Sequence, residues 1–244
     1  TTTFKKESVS GYYGPVTEKA VREFQQKFGL VPSGITEPAT RYLFNKFYYN
    51  QLCPKPDHDF LDFRLADVNK KSSLPANYVP SDLVNINTDD MQTRGVLCLR
   101  QETATALQDI FNDAKNLNFG LRVTSAFRKP ELQKLIIDTT SASRNYVALP
   151  LYSEHQLGTA IDITSKGVKY RPTDTGFAKT VEGKWLLENA WRYGFVLSYP
   201  DGKNAATGYN YEPWHIRYVG QDVAQILHEQ NITFTEYVAN ILKK

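Results

Sequence analysis

Ser153-Glu154-His155-Gln156-Leu157-Gly158-Thr159-Ala160-Ile161-Asp162 is the stretch around which the chain is organised. Ala160-Ile161-Asp162-Ile163 alternates in the manner of a strand and aims Ala160 and Asp162 to one side. Gly158 permits close backbone approach just ahead of it, and His155 lies in the preceding turn, where it can fold back toward Asp162. Imidazole nitrogen and carboxylate oxygen are donors that a divalent zinc ion accepts, and a catalytic zinc takes three protein ligands with one position left open. One His followed by one Asp is weak evidence, because buried hydrogen-bonded side chains are ordinary.

The third donor comes from far along the chain. Tyr211-Glu212-Pro213-Trp214-His215-Ile216-Arg217-Tyr218 puts an acid three residues before a histidine. On one continuous strand that offset would face the two side chains oppositely, so a turn is expected at Glu212-Pro213, with a strand starting at Trp214. His155, Asp162 and His215 would then supply the ligand set, and Glu212 would be the base beside a water at the open position. Of the four histidines, His58 and His228 are expected at the surface.

Outward from these stretches, Leu121-Arg122-Val123-Thr124-Ser125 alternates as a half-buried strand and leads into Ala126-Phe127-Arg128-Lys129-Pro130. Arg128 at the strand exit can fork onto a carboxylate or a developing oxyanion; a structural ion pair is the commoner fate of a lone arginine. Glu131 to Ile137 resumes as helix. Ala104, Leu107, Ile110, Phe111 and Ala114 mark one face of a helix from Arg100 to about Leu117. Leu83-Val84-Asn85-Ile86 is a short strand. Phe177 to Ala190 reads as a mixed helix ending near Tyr193-Gly194, Phe195 to Tyr199 as a strand before the Asp201-Gly202 turn, and Gln221 to Gln230 as a helix. Thr235 is the expected cap of a final helix through Leu242. Helices before and after a small run of strands predict an α+β domain with its sheet central.

At 244 residues the chain is long enough for a main domain plus a smaller module. Apolar residues at 41% and charged residues at 23% fit a folded chain, neither disordered nor membrane-embedded. A net charge of +3 with scattered Lys and Arg argues against nucleic acid as a partner. The 15 Tyr, 13 Phe and 3 Trp suit glycan stacking, although most such residues are core. Cys53 and Cys98 could close a disulfide or be two buried thiols. The chain opens without a charged-then-apolar leader, so a secretion signal or anchor is expected to have been removed or to lie outside this sequence.

Near the start, Gly11-Tyr12-Tyr13-Gly14-Pro15 is a turn cluster followed by Thr17 as N-cap of a helix to Phe28, with Ala20, Val21, Phe24 and Phe28 as its apolar stripe. A second helix, capped by Thr36, is expected from Glu37 to about Tyr49. The run GYYGPVTEKAVREFQQKFGLVPSGITEPAT resembles the small three-helix peptidoglycan-binding domain of cell-wall enzymes, over Gly11 to Arg41. That family begins with another helix, whereas only Thr1 to Ser10 precede the turn cluster here. The expected organisation is a helical peptidoglycan-binding domain over 1–50, a linker or surface-wrapping segment over 51–73, and a catalytic domain over 74–244.

SEHQLGTAIDI and YEPWHIRYVG, with SAFRK ahead of them and WLLENAWRYGFVLSYP between, together resemble the zinc D-alanyl-D-alanine carboxypeptidases of the VanY type, over about Leu74 to Tyr237. The resemblance implies the LAS and Hedgehog-like fold, one Zn2+ per chain on His155, Asp162 and His215, Glu212 as general base and Arg128 as transition-state stabiliser. Gln133 and Ser153 match family positions that help hold the terminal D-alanine carboxylate. The chain departs from the pattern at Ala126, Phe127 and Lys129, where Gly, Tyr and Ser are frequent. The partners implied are peptidoglycan and its stem peptides, acted on by a monomer outside the cytoplasm at the cell wall. An L,D-carboxypeptidase or a peptidoglycan endopeptidase would share the chemistry. A non-catalytic wall-binding protein is the rival from another class, although structural zinc is usually closed by four protein ligands.

Overall fold

The structure, a computed structural model, describes residues 13–27, 29–37, 40, 63–76, 78–86, 97–140 and 143–241. The chain divides into two compact units, Thr1–Leu52 and Cys53–Lys244.

In the first unit α1 spans Pro15–Lys27. Proline suits the first helical position, where its missing N–H would be unpaired anyway. The amide of Glu18 donates to Gly14 O at 2.9 Å, so Thr17 lies inside the first turn instead of capping it. The one fully buried polar side chain of this helix, Gln25, stitches the following loop to it. Its Oε1 accepts from Gly34 N at 2.8 Å, and its Nε2 donates to Ile35 O and to Thr40 Oγ1, both at 2.9 Å. The second helix expected from Glu37, and Phe28 of the apolar stripe, lie outside the described residues apart from Glu37 and Thr40.

In the second unit β1 (Leu83–Asn85) pairs antiparallel with β2 (Cys98–Arg100), and α2 (Gln101–Asn116) follows directly. Then come β3 (Leu121–Ser125), α3 (Pro130–Thr139), a 3-10 turn over Glu154–Leu157 and β4 (Ala160–Ser165). The C-terminal part adds α4 (Val181–Asn189), β5 (Phe195–Leu197), the single-turn α5 (Asn204–Thr207), β6 (His215–Tyr218), α6 (Gln221–Gln230) and α7 (Phe234–Ile241). This is the α+β architecture expected, with a central antiparallel four-stranded sheet in the order β3-β4-β6-β5.

Every residue of β4 and of β6 is buried, and strand alternation divides them between two faces. Ile161, Ile163, Ile216 and Tyr218 join Leu107, Ile110, Phe111 and Ala114 of α2 in the main core. Leu107, Ile110 and Ile161 are wholly inaccessible, and such side chains contribute about 1.5–3 kcal/mol each relative to exposure. The other face carries Asp162 on β4 and His215 and Arg217 on β6.

Three further local expectations are corrected. The helix read from Phe177 to Ala190 is broken: a 3-10 turn (Thr175–Lys179) precedes Thr180, whose hydroxyl accepts from Gly183 N at 3.0 Å and starts α4 afresh. The cap of α7 is Thr233, not Thr235. Thr233 N donates to Glu236 Oε2 at 2.7 Å and Glu236 N to Thr233 Oγ1 at 3.2 Å, a reciprocal capping box. The strand expected from Trp214 begins one residue later, at His215. His228 is exposed, as expected, and its ring stacks on Trp191 at 4.5 Å; His58 lies outside the described residues.

Residues 63–73 are packed within this unit. Val68 and Leu74 are buried with Tyr78 and Leu157, and Arg100, almost fully buried, bonds Asp82, the Tyr78 hydroxyl and Leu157 O at 2.6, 2.6 and 3.0 Å. These contacts hold the 3-10 turn that carries His155. Cys98 is disulfide-bonded, and Cys53, the other cysteine of the chain, lies outside the described residues. No helix among the described residues is long and apolar enough to cross a membrane.

Candidate metal centre and active site

Antiparallel pairing of β4 with β6 sets Asp162 opposite His215. Asp162 Oδ1 lies 3.0 Å from His215 Nδ1. The 3-10 turn before β4 ends at Gly158, whose φ of 73° returns the chain into the strand. That reversal folds His155 back, and its Nε2 lies 3.3 Å from Asp162 Oδ2. Three potential ligand atoms, one from each of His155, Asp162 and His215, are all within 4.8 Å of one another.

The remaining ring nitrogens are committed in a way that suits metal binding. His155 Nδ1 is 2.8 Å from Ala126 O, and a carbonyl can only accept, so Nδ1 carries the hydrogen and Nε2 keeps its lone pair toward Asp162. His215 Nε2 is 3.0 Å from Glu154 Oε2, which leaves Nδ1 as the ring atom that could take a metal. Outer hydrogen bonds of this kind fix tautomer and ring orientation in metal sites. Two imidazoles and one carboxylate, buried and convergent, form a His/Asp/His metal site with the donor set of a catalytic zinc.

Electrostatics separate the two imidazoles. Burial, helped by the nearby Arg128 guanidinium, holds His155 down to about 4, so it is neutral at physiological pH. Burial also opposes charge on His215, but hydrogen bonds to Asp162 and Glu154 outweigh it and push this group up to about 10. Asp162, despite burial, is held well below the carboxylate range, and with His155 neutral the protonated His215 at 3.0 Å is the cause.

Glu212 is buried at 5% exposure, and the turn expected here is present: His215 N donates to Glu212 O at 3.0 Å. Burial, reinforced by the Asp162 and Glu154 carboxylates and opposed by His215, pushes Glu212 up to about 8. A carboxyl tuned near neutrality is suited to proton transfer. Arg128 leaves β3 as expected; its Nη2 donates to Ser125 Oγ at 2.9 Å and lies 3.5 Å from Asp162 Oδ2. Its Nη1 donates to Gln133 Oε1 at 2.8 Å, and Gln133 Nε2 donates to Ala148 O at 2.7 Å.

The three metal-site residues, Glu212, Arg128, Gln133 and Ser153 all line one cleft of ≈ 640 Å³. Leu132, Ile136, Tyr146 and Trp214 supply apolar walls. Sequence reasoning missed Glu154 and Arg217, which back His215, and Tyr199, whose ring sits 4.9 Å from that of His215. The available signals were an acid beside the first histidine and an arginine two residues beyond the second, on the same strand face.

A buried His/Asp/His site with an adjacent carboxyl in an open cleft defines a metallopeptidase. The family model described as D-alanyl-D-alanine carboxypeptidase, VanY, matches residues 97–221, and one described as a peptidoglycan binding domain matches residues 3–43. YodJ of Bacillus subtilis (strain 168), which carries the name of a carboxypeptidase, is 38% identical over 190 residues, covering 73% of this chain and 68% of its own. Among solved structures, the LdcB LD-carboxypeptidase is similar at a TM-score of 0.66 and 38% identity, over 71% of this chain and 85% of that one. The vancomycin resistance D,D-pentapeptidase VanY of a VanB-type cassette, in complex with Zn(II), is similar at 0.60 and 30% identity, over 72% and 99%. The chain belongs to the VanY family of D-alanyl-D-alanine carboxypeptidases.

Proposed function

We propose that this protein is a zinc-dependent carboxypeptidase that removes the terminal D-alanine from D-alanyl-D-alanine-ended stem peptides of peptidoglycan, as a monomer outside the cytoplasm. The observation that carries the reading is the convergence of His155, Asp162 and His215 in the cleft that also holds Glu212 and Arg128. One zinc ion held by the three would lower the pKa of a bound water toward about 7 and polarise the scissile carbonyl.

The chain's own groups perform the remaining steps. Glu212 takes the proton of the attacking water and passes it to the departing amine. Arg128, already ordered by Ser125 and Gln133, holds the negative charge gathering on the carbonyl oxygen. Gln133 and Ser153 bind the terminal carboxylate, and this limits the cut to the last residue. The N-terminal unit, through its match to a peptidoglycan binding domain, keeps the enzyme on the wall polymer.

The likeness to the LdcB LD-carboxypeptidase supports a second reading, an L,D-carboxypeptidase acting on tetrapeptide stems. Digestion of purified pentapeptide and tetrapeptide muropeptides, with and without chelator and resolved by mass, separates them. Loss of one alanine from the pentapeptide alone, abolished by chelator, is expected. Loss from the tetrapeptide alone supports the second reading, and release of no alanine from either overturns both.

A further inference from the structure

Beyond the three metal-site residues runs a buried chain of charge. Glu154 Oε2 faces His215 Nε2 at 3.0 Å, and Glu154 Oε1 accepts from Arg217 Nη1 at 2.9 Å. Arg217 Nη2 then donates to Ala66 O at 2.6 Å and to Arg64 O at 3.3 Å. The Phe234 ring at the start of α7 covers the guanidinium at 4.1 Å. Arg217 is wholly inaccessible, and Glu154 and His215 are 6% and 3% exposed.

Each link has a backbone cause. His215 and Arg217 are two residues apart on β6, so they share a face. Ala160 pairs opposite Arg217, and its small side chain leaves room for the guanidinium to reach Glu154. Glu154 is next to His155 in the 3-10 turn, so one turn supplies a metal-site residue and the support of another.

We infer that Glu154 is the positioning residue of the metal site, fixing the His215 ring so that Nδ1 faces Asp162, and that Arg217 anchors Glu154 to the backbone of residues 64–66. The segment entering the catalytic unit is thereby part of the metal site's support. A lone buried carboxylate behind His215 would be costly and free to turn away; an arginine fork tied to two carbonyls holds it in one place. Loss of such outer partners typically costs about 10- to 100-fold in metal affinity.

The inference rests on the metal-site reading above, and the test keeps the two apart. Zinc affinity of the full chain is measured by competition with a chelator, and the visible spectrum of the cobalt-substituted protein reports ligand geometry. Glu154→Gln, folded by circular dichroism, is expected to bind zinc about 10- to 100-fold more weakly with an altered cobalt spectrum; Arg217→Lys, which cannot span Glu154 and Ala66 together, shifts both in the same direction. Should Glu154→Gln not fold, Glu154→Leu with Arg217→Met replaces the pair by apolar groups of similar volume, which cores often tolerate, and the same two measurements apply. A folded variant with wild-type zinc affinity and an unchanged cobalt spectrum overturns the inference. His155→Ala is the control: if it binds zinc as wild type does, the metal-site reading itself fails.

Discussion

Asp162 and His215 face each other across neighbouring antiparallel strands, with Oδ1 and Nδ1 3.0 Å apart. Register fixes this relationship, because slipping β6 by one residue against β4 would turn His215 into the core and Ile216 into the cleft. The metal site therefore depends on correct sheet assembly, and loss of either partner is felt first in metal retention. Asp162→Ala is expected to leave the fold intact and to lose zinc on dialysis, read by metal analysis. Retention of one zinc per chain would contradict the ligand assignment.

Glu212→Gln keeps the shape of the side chain and removes its capacity to accept a proton. The variant is expected to retain zinc and to lose about a hundredfold or more in turnover. Alanine release at the wild-type rate would show that the proton acceptor lies elsewhere.

Arg128→Ala removes the cation that Ser125 and Gln133 hold beside Asp162. Turnover is expected to fall by about a hundredfold or more, by analogy with loss of an oxyanion donor. Steady-state kinetics would place the loss in kcat; a change confined to KM would make Arg128 a binding residue only.

Metal uptake is expected to release protons. In the metal-free site His215 is pushed up to about 10 and Glu212 up to about 8, so both hold a proton at pH 7. Metal binding requires an unprotonated imidazole nitrogen. The sign follows: zinc affinity rises with pH between 6 and 8, and calorimetry in buffers of different ionisation enthalpy detects more than one proton released. Without metal, the raised His215 contributes stability that is complete below its ordinary value of 6.5 and is lost as pH rises through about 10. A pH-independent zinc affinity would contradict this electrostatic account.

Gly158 holds a φ of 73°, and a Cβ there would meet Leu83 at 3.0 Å and Pro80 and Arg100 at 3.3 Å. Gly158→Ala is expected to cost at least about 1–2 kcal/mol, measured by chemical denaturation, and to weaken zinc binding because His155 sits in the turn that Gly158 closes. Unchanged stability would show that the turn relaxes freely.

Much of this site is legible in the chain because each expected ligand lies inside a short, locally ordered motif. Alternation in Ala160-Ile161-Asp162-Ile163 places Asp162, and the turn that Pro213 implies places His215. Glu154 and Arg217 are illegible for the opposite reason: their partners lie 61 and 151 residues away, and no local pattern reports such pairing. The misread helix ends have local causes. Pro15 opens α1 ahead of Thr17, Thr233 and Glu236 cap α7 reciprocally, and the Thr180 hydroxyl restarts a helix inside an apolar run that reads as continuous.

The most direct test of the metal site is the anomalous scattering of zinc-loaded crystals at the zinc edge. One peak is expected among His155 Nε2, the Asp162 carboxylate and His215 Nδ1, with nitrogen distances of about 2.0–2.1 Å and no fourth amino-acid ligand. A peak elsewhere, or a fourth side chain closing the coordination sphere, would contradict the account.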